Sequence, residues 1–415
     1  MDFKLFFIII FLIKSAVHIF LNILNLKHLK SASATIPEEI LDAVKSETSE
    51  KSLKYNEEKM KFTIFSDSLD IVLAFIFLFS PLFVLYVNLI NSLQLHYVLK
   101  GLIFFYILII ADSFFDLPLS YYSSFAIEEK YGFNKYTLKK WFIDNLKNLA
   151  LQIILISIIL SLVLYLTGGE LNEFKWKYAV TGWIIISCLL ILFTFLVPVI
   201  IIPFFYKIKP IESNSLTEKI NALLNKLNFK IKGIYSVDAS LRSTHANAGF
   251  SGFGKSKKII IFDTMLDGKY SDDEILSVLA HEIGHAKKKH ILIQMILSIA
   301  VLFIFITFIL YLLSSDFAYN SMGINRIFFA GLLFAGFFFE NIFYFVQPLT
   351  SRLSRKFEFD ADKYSKTAMN SAVPLISSFK KFIINDCANI NPHPAYESFY
   401  YSHPSVIKRI NKLSG

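Results

Sequence analysis

One short run of the sequence carries residue types whose spacing suits metal-assisted hydrolysis. It reads His281-Glu282-Ile283-Gly284-His285. On a helix, residues i and i+4 lie on the same face, so both imidazoles can reach one metal ion. Glu282 lies beside them, where its carboxylate can act as a general base toward a water held by that metal. The chain has two cysteines and no C-x-x-C pair, so a zinc site here must use histidine and carboxylate ligands.

A third ligand has to come from elsewhere, because a catalytic zinc ion takes three protein ligands and keeps one open position. Glu358 and Asp362 are four residues apart in a second acidic segment, so both can face the same site on a helix. We predict that Glu358 ligates the zinc. We predict that Asp362 hydrogen-bonds a ligand histidine from behind and fixes its tautomer. The alternative for Asp362 is a surface salt bridge with Lys363 or Arg355.

The helix that carries the two histidines has a recognisable start. Ser271 precedes Asp272, Asp273 and Glu274, and the apolar residues follow. Serine at the N-cap with glutamate three residues later is a capping box. The acidic first turn also suits the positive end of the helix dipole. We therefore expect the helix to begin directly after Ser271.

The composition places this machinery in a membrane protein. The chain of 415 residues is 54% hydrophobic and only 18% charged. About 20 consecutive apolar residues span a bilayer as a helix. The first apolar run follows Lys4 without a small-residue cleavage site, so we read it as a retained anchor. Seven stretches qualify or nearly qualify as spans: Leu5–Leu24, Ile71–Ile90, Gly101–Leu117, Leu149–Leu166, Ala179–Ile202, Ile291–Leu313 and Ile327–Val346.

Four ionisable residues lie within these stretches: Lys14, Asp112, Asp116 and Glu340. Such side chains are unfavourable in lipid and usually face a bundle interior or a water-filled cavity. They fit either a hydrated path or structural ion pairs between helices, and the sequence leaves both open.

The distribution of basic residues predicts the orientation. The net charge is +9, and most lysines and arginines fall in the loops on one side of the seven spans, which we expect to be cytoplasmic. The N-terminus is then outside or lumenal, and the C-terminus and the catalytic site are cytoplasmic, in a bacterial inner membrane or the endoplasmic reticulum. Lysines at membrane flanks, without an aromatic stacking pattern, argue against nucleic-acid binding. We divide the chain into a five-helix membrane region, a catalytic segment, spans six and seven, and a C-terminal catalytic segment: 1–205, 206–290, 291–350 and 351–415.

Taken together, these motifs resemble the CAAX prenyl protease 1 type of integral-membrane zinc endopeptidase. Beyond the metal site, the resemblance rests on Ile127-Glu-Glu-Lys-Tyr-Gly-Phe-Asn134-Lys, Tyr55 with the lysine and phenylalanine residues after it, Arg242-Ser-Thr-His-Ala-Asn247-Ala-Gly-Phe-Ser-Gly-Phe, Ile259-Ile-Ile-Phe-Asp263-Thr, Arg355-Lys-Phe-Glu358-Phe-Asp-Ala-Asp362 and Tyr401-Ser-His403-Pro404. It implies an all-α membrane protein with seven transmembrane helices around a large intramembrane chamber. A zincin-like cytoplasmic catalytic portion would contain a short β element.

The resemblance also implies roles for further residues. Asn247 would hold the substrate backbone, and Ala246, Ala248 and Gly249 would belong to an edge strand that pairs with an extended peptide. His403 would help to stabilise the oxyanion. Arg409 is expected near the site without a defined role. His393, in another His-Pro pair, is expected to have no role at the site, and His245 is expected to be structural and not a ligand.

The implied function is zinc-dependent removal of the C-terminal tripeptide from prenylated C-a-a-X proteins or peptides, with one catalytic zinc ion and with membrane lipid around the chain. Two alternatives stay open. One is a broad-specificity protease for membrane-protein quality control. The other is a transporter or channel with a structural zinc, which Glu282 disfavours because a structural site has no need of a general base. The oligomeric state is undetermined.

Overall fold

A computed structural model describes residues 2–32, 46–167, 174–252 and 257–415. Helices dominate this part of the chain. The first half contains seven: α1 Phe3–Ala32, α2 Ser46–Phe79, α3 Pro81–Asn91, α4 Tyr97–Tyr122, α5 Leu138–Thr167, α6 Trp176–Leu196 and α7 Ile202–Phe205. The second half contains nine: α8 Ser215–Lys226, α9 Asp272–Lys287, α10 His290–Leu313, α11 Asp316–Met322, α12 Phe328–Phe343, α13 Gln347–Ala368, α14 Val373–Asp386, α15 Pro394–Tyr400 and α16 Val406–Ser414.

Within the described ranges, six continuous helical segments are long and apolar enough to cross a bilayer: Phe3–Leu29, Glu50–Phe79, Tyr97–Glu128, Leu138–Thr167, Trp176–Phe205 and His290–Leu313. Helices α12 and α13 together pass the same test, but they are bent by 58° at the break between them. The predicted number of seven is reached when this bent pair counts as one span. The protein is thus a multi-pass integral membrane protein.

The predicted second span, Ile71–Ile90, was wrong in its position. The apolar helix that fits a bilayer runs from Glu50 to Phe79, and the chain then breaks at Ser80. Ser80 has extended backbone angles, its hydroxyl accepts a hydrogen bond from the Leu82 N–H, and Pro81 begins α3. Proline is favoured in the first turn of a helix and cannot continue the preceding helical hydrogen bonds, so one apolar run forms two helices.

Aromatic side chains fill the centre of the membrane half. Buried phenylalanines from α1, α3, α4 and α12 form one apolar cluster. Lys14 on α1 lies 3.7 Å from Glu340 on α12, so these two intramembrane charges are an ion pair between helices. Asp112 and Asp116 lie exposed on α4, and their role stays open.

The small β element is a four-stranded sheet with the order β1-β2-β4-β3: β1 Ile208–Pro210, β2 Gly233–Val237, β3 Ala248–Ser251 and β4 Lys258–Phe262. Strands β2 and β4 are parallel, and the other two pairs are antiparallel. Within the described residues β3 pairs only with β4, so its other edge is open. Helix α9 begins at the predicted capping box, with the Ser271 N–H 2.7 Å from Glu274 Oε2.

A buried ion pair joins the membrane half to the catalytic half. Arg242, which lies between β2 and β3, donates from Nε to Asp144 Oδ2 on α5 at 3.0 Å. Its guanidinium also donates to the Phe205 carbonyl and stacks on the Tyr206 ring at 4.3 Å. Both partners of the ion pair are buried. Removing one charge of such a pair leaves the other buried and uncompensated.

We therefore expect Asp144→Asn to destabilise the protein by roughly 3 kcal/mol, since loss of one partner of a buried ion pair has effects of this size. A lower Tm in detergent, measured by intrinsic fluorescence, would show it. Asp316→Asn is the matched control, because Asp316 is exposed and lies 3.5 Å from Arg326 at the protein surface. Equal Tm values for the two variants would contradict this account of the junction.

Candidate metal centre

The centre lies where α9 crosses α13. Gly284 permits the close approach of these helices, because a Cβ atom at this position would lie 3.0 Å from Tyr364 Cβ and 3.1 Å from Ala361 Cα. Ser365 Oγ donates to the Ser277 carbonyl at 2.7 Å and fixes the same crossing. The backbones are thus close enough for one ion to be held by side chains of both helices.

Three ligand atoms converge at this crossing. The Nε2 atoms of His281 and His285 are 3.1 Å apart. Glu358 Oε2 lies 3.5 Å from His281 Nε2, and Glu358 Oε1 lies 3.3 Å from His285 Nε2. Among the described residues, these three form the group that can hold a metal ion.

The donor set fits zinc. Nitrogen and oxygen ligands bind zinc at about 2.0–2.1 Å in a tetrahedron, which places them about 3.3 Å from one another. The three observed separations bracket this value. Glu358 Oε2 is buried and makes no hydrogen bond of regular geometry in the described part of the chain, although His403 Nδ1 lies 2.8 Å from it. A cation between the three side chains would satisfy this oxygen and two facing imidazole nitrogens.

Each imidazole is held from behind. Asp362 Oδ1 lies 2.9 Å from His281 Nδ1. Arg409 donates to both oxygens of Asp362, from Nε at 2.9 Å and from Nη2 at 2.6 Å, and its guanidinium stacks on the Phe379 ring. Asp362 is therefore no surface carboxylate, and its charge is compensated by Arg409.

His285 has a different partner behind it. His290, the first residue of α10, places its Nδ1 3.0 Å from His285 Nδ1. The His290 ring is buried and stacks on Phe357 at 4.1 Å. One of the two Nδ1 atoms must donate and the other accept, so the pair orients the His285 ring with its Nε2 toward Glu358.

Glu282 lies beside the three converging side chains, next to the edge strand. A Cβ atom on Gly249 of β3 would lie 4.0 Å from Glu282 Oε2. Burial raises the pKa of the Glu282 carboxyl. The carboxylate is thus close to strand β3 as well as to the histidines on either side of it in the motif.

The strand itself starts later than predicted. It begins at Ala248, so Ala246 and Asn247 lie outside it, on the segment that leads into the strand. Asn247 is exposed, and its carbonyl accepts from the Phe262 N–H at 2.9 Å. The reason is the register of β3 against β4, in which the last paired residues are Ala248 and Ile261.

His403 approaches the centre from the C-terminal segment. Its Nδ1 lies 2.8 Å from Glu358 Oε2, and 64% of its side chain is exposed. His393, by contrast, caps α15, because its Nδ1 accepts from the Ala395 N–H. Of the two His-Pro pairs, the structure thus brings only the second to the centre.

The turn that carries His403 is fixed by two side chains that the sequence did not single out as site residues. Arg355 Nη1 donates to the carbonyls of Glu397 and Tyr401, at 3.0 and 2.7 Å. The buried Glu397 carboxylate accepts from the Ser405 N–H at 3.0 Å and from Lys408 Nζ at 2.6 Å. Arg355 lies one helical turn before Glu358, so α13 supplies both a ligand and the support for His403.

These features define the class. An apolar helical bundle that crosses the membrane several times and carries an H-E-x-x-H helix with a third carboxylate is an integral-membrane metalloprotease.

Similarity to known proteins extends over almost the whole chain. Residues 25–207 match the family of CAAX prenyl protease N-terminal regions with five membrane helices, and residues 210–415 match peptidase family M48. CAAX prenyl protease 1 of Saccharomyces cerevisiae is 31% identical over 92% of this chain and 89% of its own length. The homologue in Oryza sativa is 29% identical over 91% and 90%. The crystal structure of Ste24p from S. mikatae superposes with a TM-score of 0.92 at 28% identity, covering 100% of both chains. The chain therefore belongs to the CAAX prenyl protease 1 family, within peptidase family M48, and this membership favours the protease over the transporter alternative.

The close helix crossing leads to a prediction. In Gly284→Ala, the new methyl group would have to push α9 away from α13 by a few tenths of an ångström, which would move both histidines relative to Glu358. We expect metal affinity to fall about tenfold, in line with the effect of disturbing the support of a metal site. Equilibrium dialysis against a zinc buffer would measure it.

Gly336→Ala is the control for this substitution, because a Cβ atom there meets nothing within 4 Å. It adds the same methyl group to α12, a membrane helix that carries none of the three ligands. Unchanged metal affinity in Gly284→Ala would mean that the helix crossing does not set the ligand geometry.

Proposed function

We propose that this chain is a zinc metalloendopeptidase that removes the C-terminal tripeptide from prenylated C-a-a-X proteins or peptides. The observation that carries the proposal is the convergence of His281, His285 and Glu358 beside Glu282, in a chain whose relatives are named as CAAX prenyl proteases. One zinc ion would be held by the two Nε2 atoms and the Glu358 carboxylate. When bound, it would supply Lewis acidity that makes water nucleophilic near neutral pH and polarises the scissile carbonyl.

The side chains of this protein carry the proton transfers. Glu282 takes a proton from the attacking water and passes it to the nitrogen of the leaving amine. The partial burial of this carboxylate raises its basicity, which suits a general base. Asp362 and His290 keep the two imidazoles oriented while charge moves at the centre. No covalent acyl-enzyme forms in this scheme.

His403 is proposed to stabilise the oxyanion. Its imidazole is largely exposed and is close to Glu358. A hydrogen bond from a ring N–H to the oxygen of the scissile carbonyl would become stronger as negative charge develops on that oxygen in the transition state. The support from Arg355 and Glu397 matters here, because such a donor acts best when it is held in place before the reaction.

The open edge of β3 is proposed to bind the substrate backbone. Ala248 offers its main-chain groups on the free edge, since Asn247 and Gly249 on either side of it pair with β4. Gly249 lies next to Glu282, and Ala246 and the exposed Asn247 precede the strand. An extended peptide added to this edge would be aligned by backbone hydrogen bonds, largely independently of its sequence. The lack of a side chain at Gly249 leaves room for the peptide near the general base.

We also propose that the centre faces the cytoplasm, where prenylated C-termini are exposed. Many lysines of the chain lie in the segments that flank the catalytic portion, and basic loops are typically cytoplasmic. Substrate would then enter from the leaflet in which its prenyl group is anchored.

The proposal is tested by offering the purified, detergent-solubilised protein a farnesylated C-a-a-X peptide beside its unprenylated twin. We expect cleavage after the cysteine of the farnesylated peptide, loss of cleavage with a zinc chelator, and recovery on adding zinc. Glu282→Gln should keep its zinc and lose at least about 100-fold in kcat, because the amide cannot accept the proton of the water. Mass spectrometry of the products and metal analysis provide the readout.

Asp360→Asn is the matched control for Glu282→Gln. This substitution also replaces a carboxylate by an amide, but Asp360 pairs with Lys288 at the surface. Equal cleavage of both peptides would replace C-a-a-X specificity with the broad quality-control role. Near-normal turnover in Glu282→Gln would exclude the proposed general base.

A second prediction concerns the support of His403. Arg355→Lys keeps the positive charge but cannot donate to the carbonyls at the end of α15 with the same fork geometry. We expect kcat to fall about tenfold with zinc content unchanged, because a misplaced catalytic group loses rate without losing substrate. Steady-state kinetics with the farnesylated peptide would measure this.

Arg352→Lys, on an exposed position of the same helix, serves as its comparison. If both lysine variants have the kcat of the unmodified protein, the turn that carries His403 does not depend on Arg355.

A further inference from the structure

The segment that leads into the edge strand carries a charged joint at His245. His245 Nδ1 lies 3.1 Å from Asp386 Oδ1, and His245 Nε2 lies 3.8 Å from Glu128 Oε2. The imidazole also stacks on the Phe133 ring, with centroids 4.9 Å apart and planes inclined by 25°. Three segments that are remote in sequence therefore meet at one side chain.

Both carboxylates are themselves tied to the membrane half. Glu128 Oε1 accepts from the Tyr55 hydroxyl at 2.7 Å and from Lys59 Nζ at 3.3 Å. Next to Asp386, the Cys387 carbonyl accepts from Asn56 Nδ2 at 2.8 Å. Helix α2 therefore holds both acidic partners of His245 in place.

The backbone on each side of His245 is also fixed. The Thr244 N–H donates to the Phe133 carbonyl, and Thr264 Oγ1 donates to the His245 carbonyl at 2.9 Å. Two residues later, the Asn247 carbonyl accepts from Phe262, and β3 begins at Ala248. A displacement of His245 would thus be transmitted over three residues to strand β3, which lies next to Glu282.

The joint depends on charge. Hydrogen bonding to Asp386 and Glu128 raises the pKa of His245 to about 9, against the opposing effect of burial. The groups that face it are the carboxylates of Asp386 and Glu128, with the Lys59 ammonium and the Tyr55 phenol beyond Glu128, the Cys387 thiol next to Asp386, and the Lys51 ammonium over the Phe133 ring. The imidazole is 39% exposed, so protons reach it from solvent.

The sign of the pH dependence follows from the raised pKa. The stabilisation that protonated His245 contributes to the folded state is fully present below pH 6.5, the ordinary pKa of histidine. It is lost as the pH rises through about 9, the pKa of His245 in the folded protein. The ion pairs of His245 with Asp386 and Glu128 therefore form at neutral pH and are lost in alkaline solution.

We infer that His245 is a positioning residue for substrate binding: its imidazolium bridges Asp386 and Glu128 and thereby holds the edge strand in register for the extended peptide. The inference rests on the proposed function and adds a role for the motifs around Tyr55 and Glu128, which the metal centre does not use. We expect the loss of this contact to weaken peptide binding and to leave the chemical step unchanged, because neither the metal ligands nor Glu282 contacts His245 in the described part of the chain.

The test compares His245→Gln and His245→Arg with the unmodified protein. Glutamine is neutral, whereas arginine keeps a charge at every pH used and stacks on aromatic rings. At pH 7.5 we expect His245→Gln to raise KM about fivefold, the upper range for a partly exposed ion pair. Its kcat and zinc content should stay unchanged. His245→Arg should restore KM.

The pH profile separates this role from a purely structural one. KM of the unmodified protein should rise about fivefold between pH 8 and pH 10, while KM of His245→Arg stays flat over that range. His96→Gln is the control, because His96 caps the N-terminal end of α4, whereas Glu128 lies beyond the C-terminal end of that helix. The inference is overturned if His245→Gln has an unchanged KM, or if it loses kcat and zinc with no change in KM.

A second measurement needs no turnover. Hydrogen exchange of the backbone amides in residues 246–251, read by mass spectrometry without substrate, should be about fivefold faster in His245→Gln than in the unmodified protein and His245→Arg. Equal amide exchange of residues 246–251 in all three proteins overturns the inference that His245 holds the edge strand. If the unmodified protein cuts neither peptide, the proposed function fails, and the exchange rates still decide whether His245 holds the strand.

Discussion

The structure depends on one close approach, the crossing of α9 and α13 at Gly284. Two imidazole nitrogens and one carboxylate from these helices lie within 3.5 Å of one another, a separation at which one metal cation can bind all three groups. The surrounding residues serve this geometry. Asp362 and Arg409 hold His281, His290 holds His285, and the Ser365 hydroxyl joins the two helices.

The membrane imposes the second constraint. The two catalytic helices are separated in sequence by α10, α11 and α12, so the bundle must return the chain to the same side before α13 can meet α9. His290 begins α10, the first of the intervening helices, and α13 follows the 58° bend at the end of α12, the last of them. Arg242 and His245 then connect the sheet to the membrane helices through Asp144 and Glu128, so the edge strand is anchored to the bundle.

The sequence predicted the residues that act through local spacing and missed those that act through long-range contacts. His281, His285, Glu358 and Asp362 are each paired at i and i+4, and a helix places such pairs on one face regardless of the rest of the fold. His290 was missed because it stands at the start of an apolar span, and its contact is across a helix break. Glu397 was missed because its partners, Ser405 and Lys408, are reached only through a turn. The second span was misplaced because hydropathy does not register the cap at Ser80, although Ser80-Pro81 was a readable signal for a break.

The account rests on a zinc ion between the two helices, and anomalous diffraction at the zinc absorption edge from crystals of the purified protein tests it most directly. We predict one anomalous peak, about 2.0–2.2 Å from His281 Nε2, His285 Nε2 and a carboxylate oxygen of Glu358. The peak should disappear in Glu358→Ala crystals and persist in Glu282→Gln crystals. A peak bound by other residues, or full occupancy in Glu358→Ala, would contradict the proposed centre and the hydrolytic mechanism built on it.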